Sequence, residues 1–294
     1  MTQDRTRLEI WAAYIFLLPV LLSLGIFLLG PLLYALYISF HQFSFMAPDH
    51  SRFVWFGNYL DLFRDETFLR AMKNTAVYSL GVVPTQMIIA CLLAICVNSK
   101  IAGKTFFRVA FFLPTVTSSV AVSFMFMWIY SKTGLLNYFL SLVGIPGADW
   151  LNSMTFALPA IMAIAVWTTV GNFMIVYLAG LQDIPESVFE AADLDGLNTV
   201  QRFRYITWPL LKNTTYFVMI MSTIGTFQAF DTFYVITKGE GGPLDSTMTV
   251  VLYLFKSAFK HFEMGYASAM AFMLFAVIFL MSVVQKLFFR EEKG

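Results

Sequence analysis

Six stretches of the chain are strongly apolar and free of charged side chains, and polar segments separate them. A helix needs about 20 apolar residues to cross a bilayer, with a range of roughly 17–25. The apolar residues are continuous rather than alternating, which favours helices over the strands of a barrel. We therefore predict six transmembrane helices, the fifth continuing past Asp231. The stretches are residues 10–40, 74–99, 109–131, 150–182, 213–230 and 264–285.

The composition agrees with this pattern. Of 294 residues, 59% are hydrophobic and 13% are charged, which is about half the charge of an ordinary soluble domain. We therefore predict an all-α integral membrane protein. The net charge of +1 does not indicate a class of partner, and the two cysteines have no metal-ligand spacing, so we predict no metal site.

The loops predict the orientation in the membrane. Residues 98–108 carry three basic side chains and no acidic one, whereas residues 132–149 carry only Lys132 against Asp149. Basic residues concentrate in cytoplasmic loops, so residues 98–108 are expected inside the cell. With six spans, both termini and the charged loop after the fourth span are then also cytoplasmic.

These assignments divide the chain into consecutive parts. The external loop contains an amphipathic helix that carries Phe63, Leu69 and Met72 and leads into the second span. It lies at the membrane interface, anchored by Trp55 and Tyr59, or docks an external partner. The parts are a cytoplasmic N-terminus at 1–9, the first span at 10–40, the external loop at 41–73, a transmembrane core at 74–290 and a cytoplasmic C-terminus at 291–294. Near the end of the core, residues 247–262 predict another interfacial helix.

Residues 183–211 form a charged insert inside this apolar chain. Pro185 suits a first helical turn, Gly196 suits a left-handed C-terminal cap, and Asn198 with Gln201 forms a possible capping box. The segment therefore predicts a helix, a glycine bend and a second helix. Pro209 is expected to exclude the αR conformation at the residue before it.

The first of these helices has two different faces. Val188, Phe189 and Ala192 share one face, and Glu190 and Asp193 share another. A short helix at the membrane surface suits recognition in the groove of a partner. The alternative is a loop that only packs beneath its own bundle.

Longer motifs link the insert to a known family. Residues 167–185 (WTTVGNFMIVYLAGLQDIP), 189–196 (FEAADLDG) and 202–211 (RFRYITWPLL) resemble the carbohydrate branch of the MetI-like permeases of ABC importers, the maltose and glycerol-phosphate group. The resemblance extends over nearly the whole chain, including FVWFGNY at 53–59 and GYASAMAFMLF at 265–275. Two departures are Trp208, where the family usually has Leu, and Leu197-Asn198 after the glycine.

The resemblance implies a MetI-like fold and a permease subunit whose EAA loop, at 183–211, couples to an ATPase. Implied partners are a second related permease in a heterodimer, two copies of the ATPase, an external solute-binding protein, a carbohydrate and membrane lipid, with no nucleic acid. The chain has no GxxxxGK[ST] loop, so ATP and magnesium are expected on the ATPase, and this chain is not an enzyme. The implied coupling residues are Glu190, Ala191, Ala192, Asp193, Asp195, Gly196, Arg202, Phe203, Ile206 and Pro209.

Polar side chains inside the fourth and fifth spans are candidates for the substrate pathway, because polar groups are costly in hydrocarbon. Sugars require hydrogen-bonding groups beside flat apolar rings, and both spans provide these. The resemblance adds small residues near the family's sugar site. The candidates are Trp167, Thr168, Asn172, Gly225, Gln228, Ala229, Asp231 and Thr232. The alternative is that these groups bridge helices, with Asp231 in a structural role.

Other functions stay open at this point. Within the family, a glycerol-phosphate-like solute is the alternative substrate, although a phosphate calls for basic residues that the charge-free stretches lack. A stand-alone secondary transporter would need paired carboxylates within the membrane, where Asp231 stands nearly alone. A non-transporting receptor subunit would show no dependence on ATP.

Overall fold

The computed structural model describes residues 2–47, 49, 51–99 and 103–290. The predicted C-terminal segment 291–294 lies outside these residues, as does Lys100 of the basic loop. The described residues form two units, one up to Arg64 together with Leu254–Met273, the other comprising Asp65–Tyr253 and the residues after Met273.

Almost all of the regular structure is helical. The α-helices are α1 (Thr2–Leu24), α2 (Gly30–Ser39), α3 (Gly57–Leu62), α4 (Glu66–Asn98), α5 (Lys104–Phe112), α6 (Ser119–Ile129), α7 (Leu135–Leu142), α8 (Ala157–Gln182), α9 (Glu186–Leu194), α10 (Thr199–Arg202), α11 (Trp208–Leu210), α12 (Lys212–Phe227), α13 (Asp231–Thr237), α14 (Val250–Phe259) and α15 (Met264–Arg290). Turns of π-helix cover Gly25–Leu29 and Phe203–Thr207, and 3₁₀ turns cover Leu113–Val116 and Pro243–Asp245. The strands are β1 (His41–Gln42) and β2 (Arg52–Phe53).

Within the described residues, four continuous helices are long and apolar enough to cross a membrane, and a bent pair raises the number to five. The four are Trp11–Ser39, Glu66–Asn98, Ala157–Gln182 and Met264–Phe289. They correspond to the first, second, fourth and sixth predicted stretches. The structure therefore confirms a mostly helical, membrane-spanning chain.

The third predicted stretch is not one straight helix. Lys104–Val116 and Ser119–Ile129 meet at an angle of 97°. Pro114 lies in the 3₁₀ turn, Thr117 is extended, and Ser118 is also not helical. Proline removes a backbone donor from a helix. Threonine hydroxyls of the segment donate to backbone carbonyls. Thr115 donates to the Thr168 carbonyl at 2.9 Å, and Thr117 donates to the Leu113 carbonyl at 3.1 Å.

The fifth predicted stretch is also interrupted. Helix α12 has 16 residues and ends at Phe227, and α13 begins only at Asp231. Helical structure therefore continues past Asp231 in α13, but as a second helix and not as an extension of α12. At the junction, Phe230 has φ −134° and ψ −59°, which is not helical.

In the first unit, α1, the π turn and α2 follow one another without a gap. The short strands pair antiparallel, with His41 opposite Phe53. The Asn58 amide donates to the carbonyls of Ser39 and His41 at 2.7 and 2.9 Å. The external loop therefore begins as a hydrogen-bonded turn.

The predicted amphipathic helix of the external loop is divided. Helix α3 ends at Leu62, and the Asp65 carboxylate caps α4 by accepting from the backbone N–H of Thr67 at 2.8 Å. Asp is among the strongest N-cap residues. Phe63 therefore lies between the helices, and Leu69 and Met72 belong to the first turns of α4.

In the second unit, α4 packs along α8 and α12. Buried apolar side chains from the three helices form one cluster that includes Ala94, Met174, Tyr177 and Val218. Gly171 allows the broken third helix to cross α8, because a Cβ there would stand 2.0 Å from the Phe111 carbonyl oxygen.

Hydrogen bonds between side chains also join the helices of the second unit. Ser79 of α4 pairs with Thr226 of α12 at 2.8 Å. Gln86 of α4 donates to Ser222 of α12 and accepts from Thr169 of α8. We call these five residues the polar ladder. Such bonds satisfy polar groups that would otherwise be unpaired in hydrocarbon.

The segment around α14, which was predicted to be an interfacial helix, packs into the protein at its start. Met248, Val250 and Leu252 are buried. The Asn74 amide of α4 donates to the Met248 carbonyl at 3.0 Å, and the Val250 N–H donates to the Thr75 hydroxyl at 3.1 Å. Polar groups of α4 therefore hold the start of this helix within the protein.

Candidate functional site

Helix α9 and its glycine bend have the predicted geometry. The helix covers Glu186–Leu194, and Gly196 has φ 73°. The Gly196 N–H donates to the Asp193 carbonyl and the Leu197 N–H to the Ala192 carbonyl, both at 3.1 Å. This pair of bonds is a Schellman C-cap, which places a glycine in the left-handed conformation.

One face of α9 is packed and the other is open. Ala192 is buried, and Val188 and Phe189 pack against the apolar cluster of α4, α8 and α12. Glu190 and Ala191 on the other face are exposed. The loop therefore does pack on its own bundle, as the alternative held, but it also presents an uncovered surface.

The second helix of the segment is fixed to the first. Asn198 and Gln201 form the predicted capping box, with bonds of 2.9 and 3.0 Å. The Arg202 guanidinium forms an ion pair with the Asp193 carboxylate across the glycine bend. Both charged groups were predicted to act in coupling, and in this structure they pair with each other. They therefore hold α9 and α10 in one arrangement.

The remaining predicted coupling residues divide by burial. Phe203 is half-buried and packs against the same apolar cluster as α9. Ile206 is also half-buried, whereas Asp195 and Pro209 are exposed. The sequence motif therefore contains both anchoring positions and surface positions.

The expectation about Trp208 was wrong. Trp208 has φ −62° and ψ −47°, which is the αR conformation, although Pro209 follows it. Its N–H donates to the Phe203 carbonyl and so closes a π-helical turn. The wider turn relieves the crowding by which a proline normally disfavours αR at the preceding residue.

Sequence reasoning missed the apolar part of the exposed surface. Leu194 is 90% exposed, and Val200 and Tyr205 are also exposed. Leu194 interrupts the acidic run Asp193 to Asp195 just before the glycine bend, and this apolar residue among charges was the available signal. Exposed apolar side chains grouped on one surface indicate a protein contact. We call the exposed residues Glu190, Ala191 and Leu194 of α9 the α9 surface.

Two of the three predicted pathway residues on α8, Trp167 and Thr168, have partners within the chain. The Thr168 hydroxyl donates to carbonyls of its own helix, 3.0 Å to Ile164 and 2.9 Å to Ala165. The Trp167 ring contacts the Phe126 ring edge to face, with centroids 5.4 Å apart. Asn172, one turn further on, is exposed.

The predicted residues 225–232 lie at the junction of α12 and α13. The Asp231 carboxylate accepts from the Ser119 hydroxyl at 3.2 Å, so it has a structural partner in α6. Gln228 and Gly225 are exposed, whereas Ala229 and Thr232 are half-buried. The broken third helix contacts the predicted pathway residues of both regions. Thr115 donates to the Thr168 carbonyl, and Ser119 donates to the Asp231 carboxylate.

A cavity of about 720 Å³ lies beside the segment that precedes α8. Its lining includes Lys132, Asp149, Lys238 and Glu240. Lys132 and Asp149 form an ion pair at 3.4 Å. A hydrogen bond from the Asn152 amide, together with the charge of Lys132, lowers the pKa of Asp149.

The cavity and α9 lie beyond opposite ends of α8. Asp149 precedes that helix, and Glu186 follows it. A helix of 26 residues is about 39 Å long, which exceeds the roughly 30 Å of the hydrocarbon core. The cavity and the α9 surface therefore lie at opposite ends of this candidate span.

Comparison with known proteins decides the family. Residues 86–293 match the family described as binding-protein-dependent transport system inner membrane component. The chain belongs to this family. The match includes α8, the whole α9 segment and α15.

Individual proteins to which this permease is similar support the same family assignment. The permease is 38% identical over 277 residues to Probable ABC transporter permease protein YesP of Bacillus subtilis strain 168, covering 93% of this chain and 88% of YesP. It is 34% identical over 284 residues to the lactose transport system permease protein LacF of Rhizobium radiobacter, covering 95% and 94%. Among solved structures, a bacterial ABC transporter involved in the import of the acidic polysaccharide alginate has a TM-score of 0.84 at 21% identity, covering 100% of each chain.

Proposed function

We propose that the permease is a membrane subunit of an ATP-driven importer of carbohydrate, with an oligosaccharide as its substrate class. It forms half of the pathway, and a second, related permease forms the other half. The observation that supports this most is the α9 surface, which lies at the opposite end of α8 from the 720 Å³ cavity in a chain related to a lactose permease. In this proposal, the cavity receives the solute, and α9 receives the movement of the ATPase.

The proposed topology has six spans with both termini in the cytoplasm. The bent pair α5–α6 is the third span, and α12 with α13 is the fifth. An external binding protein delivers the sugar on the side of Lys132 and Asp149, in the cytoplasmic membrane of a bacterium or archaeon. The predicted pathway residues supply hydroxyl, amide, aromatic and carboxylate groups without a basic side chain, which favours a neutral sugar over a phosphorylated solute.

The proposed coupling acts through the α9 surface. Two copies of a separate ATPase bind ATP and magnesium, and one copy docks on this chain at Glu190, Ala191 and Leu194. Closure of the ATPases moves α9, and Val188 and Phe189 transmit the movement because they are packed on the bundle. Asp193 and Arg202 keep α9 and α10 in register during this movement.

A pull-down from native membranes tests the proposal. Wild type is expected to retain an ATPase and a second six-span permease, both identified by mass spectrometry. Glu190→Lys should lose the ATPase and keep the second permease. Glu66→Lys reverses an exposed charge at the other end of the membrane, in the first turn of α4, and should retain both. A wild-type chain that retains no ATPase would refute the importer assignment.

A further inference from the structure

An apolar groove runs along one face of α4 in the second unit. Its wall on this helix extends from Ser79 to Cys91, and residues of α8, α11, α12 and α15 contribute the rest. Twelve helical steps correspond to about 18 Å, more than half of the roughly 30 Å hydrocarbon core. The volume is about 400 Å³, within the range of small-molecule sites. We call it the α4 groove.

One buried polar side chain in the wall has an unused acceptor. Gln285 of α15 is only 5% exposed, and its Nε2 donates to the Thr223 hydroxyl at 2.9 Å. That hydroxyl donates its own proton to the Met219 carbonyl at 2.8 Å. The Thr223 hydroxyl can therefore only accept from the Gln285 amide. The Nε2 atom of Gln285 must then face Thr223, and its Oε1 atom faces away from Thr223.

The Gln285 Oε1 atom has no hydrogen-bond partner among the residues that the structure describes. An unpaired acceptor in an apolar surrounding is destabilising, and a single donor would satisfy it. Met281, one turn before Gln285, also lines the groove. Methionine side chains adapt readily to a neighbour, so a donor can reach the amide by displacing this thioether.

The groove opens on an exposed side of α4. Leu80 is 72% exposed and Ile88 is 61% exposed, and both line the groove. Helix α4 is long and apolar enough to cross the membrane. The surrounding solvent is therefore hydrocarbon, which dissolves apolar molecules and contains little water. The occupant must be an apolar molecule that carries its own hydrogen-bond donor.

We propose that the α4 groove binds a membrane-soluble alcohol, with its hydrocarbon chain along α4 and its hydroxyl donating to Gln285 Oε1. This site is distinct from the sugar pathway and from the α9 surface. A bound alcohol would fill the space between α4, α12 and α15 and so stabilise their packing. The binding does not depend on which solute the importer carries.

Photolabelling in native membranes tests this site without a transport assay. The probes are a diazirine-bearing long-chain alcohol and the methyl ether of the same compound, which lacks the donor. After irradiation, the chain is purified and labelled peptides are identified. The alcohol should label the groove about two- to tenfold more than the ether, as expected for one hydrogen bond. Gln285→Leu should abolish this preference.

A matched pair of substitutions tests the groove with Gln285 intact. Ile88→Trp fills the groove and should reduce labelling by both probes. Leu92→Trp, one turn further along α4 at a position that is also exposed, should leave labelling unchanged. These variants keep the test valid even where Gln285→Leu impairs folding.

Three results would overturn the proposal. The first is equal labelling of the groove by alcohol and ether in wild type. The second is a preference that persists in Gln285→Leu. The third is a specific disulfide between the new cysteine of the Ile88→Cys variant and a cysteine of the second permease, because a protein helix would then occupy the groove. Failure of the importer assignment would change neither of the first two readouts, because they do not involve a second permease.

Discussion

Gly171 provides the sharpest test of how the broken third helix is held. In Gly171→Ala, the new Cβ would stand 2.0 Å from the Phe111 carbonyl oxygen and 2.9 Å from the Phe112 Cα. Both obstacles are backbone atoms, so a rotamer change cannot relieve them, and the segment must move by more than about 1 Å. Overpacking of this kind costs about 1–3 kcal/mol and sometimes more.

Thermal unfolding in detergent measures this cost. Because the obstruction is backbone, we expect about 3 kcal/mol or more. A chain of 294 residues gains about 0.6 kcal/mol/K of unfolding entropy, so the melting temperature should fall by about 5 °C or more. Gly225→Ala is the matched control, because no described atom lies within 4 Å of its Cβ position. A Gly171→Ala melting temperature within about 1 °C of wild type would show that the described crossing is incorrect.

Three further substitutions have defined outcomes. Leu194→Asp should weaken ATPase binding at least about tenfold in a titration, because a fully buried leucine contributes about 1.5–3 kcal/mol. The control Leu142→Asp, at an exposed position of α7, should leave ATPase binding unchanged. A double-mutant cycle with Asp193→Ala and Arg202→Ala should give a coupling energy of about 0.2–1 kcal/mol in thermal unfolding, because the pair is partly exposed; additive effects would mean that the ion pair does not stabilise the bend. Gln86→Leu should lower stability by about 1–3 kcal/mol in the same assay, since buried hydroxyl partners of the amide lose a hydrogen bond; an unchanged melting temperature would mean that the ladder bonds contribute nothing.

Local signals in the sequence predicted the α9 segment well. Gly196 and Asn198 act through backbone atoms within a few residues, so their cap geometry depends little on the rest of the fold. The two faces of α9 also follow from helical spacing alone. The conformation of Trp208 did not follow, because the π turn before it depends on how the segment joins α12.

Features that depend on distant contacts could not be predicted. The 97° bend in the third predicted stretch requires Gly171 on another helix to admit the crossing. The burial of the start of α14 depends on hydrogen bonds with Asn74 and Thr75. In each of these bonds the two partners are more than 170 positions apart in the sequence. Apolar composition is the same for a helix facing lipid and a helix facing protein, so the sequence pattern cannot distinguish them.

The candidate pathway shows the same division. The sequence identified polar residues within apolar stretches, but it did not distinguish those that bridge helices from those that remain uncovered. In the structure, Thr168 and Asp231 have partners within the chain, whereas Asn172 and Gln228 are uncovered. The uncovered pair therefore becomes the stronger candidate for contact with sugar, and the sugar-contact role of all four remains a prediction.

The polar ladder restricts how the second unit can move. A one-turn slide of α4 along α12 would separate Ser79 from Thr226 and Gln86 from Ser222 at the same time. Hydrocarbon offers no replacement donors, so the intermediate would carry several unpaired polar groups at once. Helices α4, α8 and α12 are thus expected to travel through a transport cycle as a single block. Shape change is then expected where the backbone leaves the helical conformation, as it does at Thr117 and Ser118, which makes that joint a hinge for opening and closing a passage.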